Sequence, residues 1–543
     1  MAPREPIPAQ SARSFPHARP RVAIVGGGPT AVYTLRGLVT DAPVPLHIDL
    51  FEKGPSVGPG MPYSAAMNDP CMLSNIASRE LPPVVQPLDD WLRTLDTKDL
   101  VGLRLCPGDI SETAFYPRLV LGAYFTAQMA ELIALGRRRG HRVELHLRHE
   151  VTDLRPTADG INLDWRSPSG EASALYDEVV LASGHRWPDR TRQDGVTLLS
   201  PWPAEKIARL PDGEIGVLGS SLSAIDVAVT VASARGTFRD AQGQLVYEAL
   251  EGRGDFRLTL MSRKGLLPEA DFWYDLPLPE LPALARVARS GEAASLTRAF
   301  DAFRADLNAA DPAYLAALGG VQTSLETFCD AYFAARLAAD PFDWAERNLT
   351  EAMRSTETRR AIPWRSALLR AHELFEELLP TFTEADLARF HATLKPVFTD
   401  CYACVPHASI LRLLALHRSG HLEVLGLREE QEISRNGEGL EMRAGSWSRC
   451  FDVLIDARGQ QPMTLADLGF PSLGPESLGA GSLRFEDFVL PLRVPGPGRI
   501  HCLALPVLLR RQPFVQGLVN ACEMGSATAD LICGASARPR RAG

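Results

Sequence analysis

Arg21-Val22-Ala23-Ile24-Val25-Gly26-Gly27-Gly28-Pro29-Thr30-Ala31 is the stretch that decides the fold of this 543-residue chain. The apolar run Val22 to Val25 reads as a buried parallel strand, and the glycines force a tight turn into a helix opening at Pro29. In this G-x-G-x-x-A pattern Gly26 permits the turn, Gly28 lets the backbone approach a pyrophosphate, and Ala31 is small enough for the helix to lie on the strand. Pro29 and Thr30 then stand at a helix start whose free N–H groups face the phosphates. A second strand, Leu46 to Glu52, ends in an acid about twenty positions further on, so Glu52, with Lys53 beside it, is placed to meet an adenosine ribose. Glycine turns also serve merely to reverse a chain; strand, turn, helix and acid at these spacings together predict a bound dinucleotide.

The rest of the composition is that of an ordinary globular protein, 45% apolar and 23% charged, long enough for more than one domain. A formal charge of −9 without a dense basic patch argues against nucleic-acid binding. Residues 1–20 lack the apolar centre of a signal peptide, and no run of about eighteen apolar residues predicts a membrane span. Nine scattered cysteines suit a reducing cytoplasm. Only Cys401-Tyr402-Ala403-Cys404 has a redox spacing, and it has no second pair for zinc.

Outward from the first turn, Gly54 to Ser64 is rich in Gly and Pro and predicts a loop close to the ligand, with Gly60 and Tyr63 in contact. Phe115-Tyr116-Pro117-Arg118 opens a helix running to about Gly136. Strands follow at 142–147, 151–154 and 161–165, and the acid, apolar strand and A-x-G of Asp177 to Gly184 bring the chain back beside the nucleotide.

The same unit then recurs. Ile215 to Asp226 contains a G-x-S-x-x-A turn, Gly219-Ser220-Ser221-Leu222-Ser223-Ala224, whose next strand ends in Ser262-Arg263 in place of an acid. A hydroxyl followed by cations suits the 2′-phosphate of NADP; a solvated basic turn is the alternative. The second unit closes through Leu422 to Leu425, a polar meander, and the acid, apolar strand and A-x-G of Asp452 to Gly459. Between its halves, residues 280–396 show apolar spacing typical of helices. After Gly459 the chain should return to the first unit, with Gln516 and Gly517 in a loop entering a last helix that faces the cofactor.

These features together resemble a flavoprotein with two dinucleotide-binding domains, and more narrowly the flavin-dependent N-hydroxylating monooxygenases, including the nitrosuccinate-forming aspartate N-monooxygenases. The resemblance rests on Val25 to Ala31, Gly58 to Ser64, Phe115 to Arg118, Leu181 to His185, Gly219 to Asp226 and Pro513 to Gly517, which span most of the chain. It implies an α/β fold of two Rossmann-like domains, each closed by a β-meander, with a helical insertion in the second. The domain plan is a disordered tail 1–20, an FAD-binding domain 21–205 that resumes at 460–535, an NADPH-binding domain 206–279 and 397–459, the insertion 280–396, and a flexible tail 536–543.

The resemblance further implies that FAD at Gly26, Gly28, Ala31, Glu52 and Gly184 is reduced by NADPH at Gly219, Ser221, Ala224, Ser262 and Arg263. A C4a-hydroperoxide formed with O2 would then hydroxylate the amine of an amino acid or similar small molecule. Asn75 is a candidate hydrogen-bond partner near the flavin; Arg365, Arg510 and Arg511 are candidate cations for substrate carboxylates. One departure stands out: the linker before the second turn, Val196 to Pro203, has no histidine where many flavin monooxygenases carry one. That departure favours the first alternative to oxygenation, an NADPH-dependent flavoprotein reductase or oxidase; Ser221 in place of glycine points to the second, a flavin-binding sensor or assembly protein without turnover.

Overall fold

A computed structural model of the chain describes residues 19–187, 190–290, 294–427, 431–437, 439–478, 488–494, 496–510 and 512–534. Its centre is a parallel five-stranded sheet in the order Arg499–Cys502, Glu178–Leu181, Arg21–Val25, His47–Glu52, Arg142–Leu147. Ile24 pairs with Leu50 on one side and Val180 on the other, so the opening strand is central and its apolar run is fully covered. The strand Arg499–Cys502, contributed from near the end of the chain, completes this sheet beside Glu178–Leu181.

Helix Pro29–Asp41 lies over the sheet and packs against the last helix, Leu518–Ile532. Small residues set that approach: a Cβ at Gly525 would stand 2.7 Å from the Thr34 nitrogen, and one at Gly37 would stand 2.5 Å from Ala529 Cβ. Helix Arg118–Arg138 is long and apolar enough to cross a membrane by length and composition. More than half of its most apolar window is buried, and Val120, Leu121, Tyr124, Phe125 and Met129 belong to the core of the first unit. It is a core helix.

The second unit repeats the plan. Its sheet runs Leu422–Gly426, Phe256–Ser262, Gly213–Leu218, Val453–Asp456, Val196–Leu199, Arg190–Gln193, parallel except for the final hairpin pair. The segment read from sequence as a plain linker, Val196 to Pro203, thus begins as a strand of the second sheet, with Leu199 opposite Ile455. An additional hairpin, Gly236–Ala241 with Gln244–Ala249, gave no signal in the sequence reading. Each unit carries a three-stranded antiparallel meander, 150–176 in the first and 431–451 in the second. The α/β class with two Rossmann-like units is therefore the one anticipated.

The insertion carries a series of helices from Pro282–Ala288 to Leu394–Tyr402, and in its core Phe300, Phe303, Phe328, Phe375 and Phe398 meet edge to face or tilted. Burying aromatic rings of this size stabilises each by about 1.5–3 kcal/mol, and Phe514 of the returning C-terminal segment enters the same cluster edge to face with Phe390 and Phe398.

Candidate functional site

At the first turn Gly26 has φ +103°, and a Cβ there would lie 2.3 Å from the Ala182 carbonyl oxygen, so glycine is required by both conformation and space. Gly28 differs. Its backbone is extended, and a Cβ would meet only the backbone of Gly60, at 3.3 Å. Helix Pro29–Asp41 has no side-chain cap at its N-terminus, which leaves its first N–H groups for a ligand. Glu52 is held rather than free: Oε2 accepts from the Gly27 N–H at 2.8 Å and Oε1 from the Gly54 N–H at 2.6 Å. Both oxygens keep a second lone pair, so the carboxylate is fixed at the turn and still able to accept from ribose hydroxyls. The 54–64 loop closes over this turn, with the Gly58 N–H donating to the Gly27 carbonyl at 2.6 Å. Tyr63 packs near Phe125, and Lys53 is exposed. Gly184, Gln516 and Gly517 lie in the strand-end and helix-entry segments of the same unit, with Gly517 at the N-terminus of the last helix. An FAD pyrophosphate fits this cradle.

At the second turn Gly219 has φ +125° and a Cβ there would stand 2.6 Å from the Ala457 carbonyl oxygen, repeating the first turn. Ser221 is exposed at an uncapped helix start, as the notional middle glycine would be, and Ala224 is buried beneath it. Ser220 is not available to a phosphate: its hydroxyl donates to the Leu266 carbonyl at 2.6 Å and lies 2.9 Å from the Ser262 hydroxyl. Ser262 also accepts from the Gly265 N–H at 3.1 Å, so it shapes the turn that presents Arg263. Arg263 itself is exposed.

The two units meet where Arg118, at the start of the long core helix, bonds Asp226 on the helix of the second turn at 2.6 Å. Burial pushes the Asp226 carboxyl up to about 6, with Arg118 opposing the shift. Asn75, Arg118, Leu222, Ile225 and Asp226 line a small cavity at this junction. His185, just past the first A-x-G, is buried beside Arg118 with Nδ1 unpartnered, and burial followed by that cation pulls its pKa down to about 4. Its imidazole is thereby held neutral at the junction of the two units.

A larger cleft of about 220 Å³ opens next to the junction, between the first unit and the base of the insertion. Phe115, Phe272 and Trp273 form apolar walls; Arg79, Glu80, Asp271 and His407 supply polar groups. The Arg79 guanidinium sits 4.2 Å from the Trp273 ring centroid and donates to the Tyr274 carbonyl at 2.9 Å. Burial and then the neighbouring Glu80 carboxylate push Asp271 up to about 7. His407 is bonded at Nε2 to the Asp271 carbonyl oxygen at 2.7 Å. None of these polar residues was singled out from sequence. They come from segments far apart in the chain, and none sits in a local pattern.

Of the residues expected to serve catalysis, only Asn75 lines either cavity. Arg365 is corrected: it is wholly buried inside the insertion, over the Phe272 ring at 3.9 Å, donating to the Ala270 carbonyl and to Cys404 Sγ, both at 2.9 Å, with Glu269 at 3.6 Å. It cannot reach a substrate carboxylate from there. Arg510 is exposed beyond a short helix, near Asp467 and away from both cavities, and Arg511 lies outside the described residues. Cys401 and Cys404 are buried thiols pushed upward by burial, which makes them poor nucleophiles.

Comparison with known proteins places this geometry. Residues 23–186 match an FAD-NAD(P)-binding family, and residues 282–402 match the YdhS-like middle domain, which coincides with the helical insertion. The ornithine N-hydroxylase of Kutzneria sp. 744, solved with reduced FAD, NADP+ and L-ornithine, shares the fold, with a TM-score of 0.50 at 14% identity over 95% of this chain and 99% of that one. The Escherichia coli (strain K12) protein YdhS is 36% identical over 534 residues, covering 96% of this chain and 99% of its own. With an FAD/NAD(P)-binding first unit, the YdhS-type insertion and similarity along nearly its whole length, the chain belongs to the YdhS family.

Proposed function

We propose that the protein is an FAD- and NADPH-dependent monooxygenase that N-hydroxylates a small amine or amino acid. The observation that carries the reading is the Arg118–Asp226 contact, which sets the helix of the second turn against the Asn75 segment of the first unit, beside a cleft of substrate size. Gly26, Gly28, Glu52 and the start of helix Pro29–Asp41 would hold FAD; Gly219, Ser221 and Arg263 would hold NADPH. When bound, FAD supplies two-electron reduction by the nicotinamide and reaction with oxygen.

The residues of the chain do the rest. Phe115, Phe272 and Trp273 line part of the cleft with apolar surface, and a substrate that displaced its water would meet surroundings that favour a neutral, nucleophilic amine. With a pKa near neutrality, Asp271 is suited to take the proton from an incoming ammonium. Arg79 takes the role first given to Arg365, as the cation available to a substrate carboxylate.

The test is NADPH oxidation by the FAD-loaded protein with small amines and amino acids, counting hydroxylated product against hydrogen peroxide. Product formed in step with NADPH supports the reading. Peroxide alone, with every substrate, points instead to a reductase or oxidase, which the absence of a histidine in the 196–203 linker favours. Bound FAD that NADPH does not bleach points to a non-catalytic flavin protein.

A further inference from the structure

Along the two outer strands on one side of the first sheet, His47 and Asp49 alternate on one strand and Glu144 and His146 on its neighbour. The parallel register sets Asp49 opposite Glu144 and Phe51 opposite His146, so all four side chains leave the same face of the sheet. His47 Nε2 lies 3.4 Å from Asp49 Oδ1 and 4.0 Å from Glu144 Oε2, and His146 Nε2 lies 3.0 Å from Asp49 Oδ1. The donor atoms of His47, Asp49 and Glu144 all fall within 4.8 Å of one another.

The remaining oxygens of the two carboxylates are already engaged. Asp49 Oδ2 accepts from the Tyr176 hydroxyl at 2.9 Å and from Arg21 at 3.3 Å, and Glu144 Oε1 accepts from Arg142 Nε at 2.7 Å. Each carboxylate is thereby oriented by outer partners and turns its other oxygen toward the imidazoles, the arrangement by which neighbouring groups align metal ligands. The His146 ring is held by stacking on Phe51 at 4.6 Å and 14°. His47 Nε2 is buried and makes no hydrogen bond; its contacts are the two carboxylate oxygens of Asp49 and Glu144 that face it.

Two donors about 2.0–2.1 Å from zinc at a tetrahedral angle stand about 3.3–3.4 Å apart; His47 Nε2 stands 3.4 Å from Asp49 Oδ1 and 4.0 Å from Glu144 Oε2, so small side-chain rotations would bring the three onto one ion. We propose that His47, Asp49 and Glu144 bind one divalent transition metal of the zinc class, with solvent completing its coordination and His146 holding Asp49 from beside. An imidazole joined to two carboxylates suits such an ion better than magnesium or calcium, which take oxygen donors. The ion would clip the strand that delivers Glu52 to its neighbour at the edge of the sheet.

The experiment uses the full-length, tag-free protein stripped with chelator, titrated with Zn2+ in a calorimeter and with Co2+ in a spectrophotometer. One equivalent of Zn2+ taken up at micromolar concentration, and Co2+ bands of a four-coordinate nitrogen and oxygen site, are expected. His47→Gln and Glu144→Gln should each weaken uptake at least tenfold with the circular dichroism spectrum unchanged. Glu144 is partly exposed, so Glu144→Gln decides the matter if the histidine variant misfolds. Absence of stoichiometric uptake, a thiolate charge-transfer band marking cysteine ligation, or uptake undiminished in the variants would overturn the proposal.

Discussion

Alanine at Gly26 and alanine at Gly28 should have opposite effects, although the residues stand two apart in one turn. At Gly26 the new methyl must adopt φ +103° and would lie 2.3 Å from the backbone oxygen of Ala182 in the neighbouring strand. The left-handed conformation costs about 1–2 kcal/mol and overpacking against fixed backbone about 1–3 kcal/mol, so a loss of about 2–5 kcal/mol in folding stability is expected. At Gly28 the backbone is one any residue adopts, and the methyl meets Gly60 Cα at 3.3 Å. Stability should change by less than about 1 kcal/mol. The methyl would instead occupy the space through which a pyrophosphate reaches the helix N-terminus, and FAD affinity should fall by about a hundredfold or more, about 2.7 kcal/mol. Urea unfolding of the apoprotein measures the first quantity and quenching of FAD fluorescence the second. A Gly28→Ala protein that binds FAD with unchanged affinity would refute the assignment of this turn to the cofactor, whatever happens at Gly26.

Three further outcomes are expected. Arg365→Met should destabilise the protein by about 1–3 kcal/mol, because the buried Ala270 carbonyl loses its donor and Glu269 keeps only Arg336 as a cation, while the KM for any substrate stays unchanged in the fraction that folds; a selective rise in KM would restore Arg365 to the substrate site. Asp226 has a folded pKa of about 6 against an ordinary 3.8, so the stability it contributes is complete below pH 3.8 and is lost as the pH rises through about 6. Relative to Asp226→Asn, the wild type should therefore weaken across that window in a series of thermal melts and then level off, and parallel curves would show the carboxyl to be unperturbed. Arg263→Ala should raise the KM for NADPH by about tenfold and leave that for NADH in place, as loss of one charge-assisted contact to a 2′-phosphate requires; equal effects on both would remove Arg263 from cofactor selection.

The sequence by itself determined the two nucleotide-binding turns, the strands that lead into them, the meanders and the helical character of the insertion. These are local: an apolar run followed by Gly26 or Gly219 has one low-energy continuation, because only glycine takes the positive φ beneath Ala182 or Ala457. Glu52 was legible for the same reason, since strand length alone carries it back to the turn. Only the tertiary structure decided what surrounds the reacting space. Arg365 and Arg79 are both arginines in unremarkable helical or loop contexts, and whether a guanidinium is sealed under Phe272 or stacked on Trp273 at the wall of a cleft depends on how the insertion packs. The Arg118–Asp226 junction joins residues 108 positions apart, and the cleft gathers Arg79, Asp271 and His407 from separate segments. Periodicity and turn chemistry report on neighbours along the chain, whereas burial, pairing and proton affinity are set by neighbours in space.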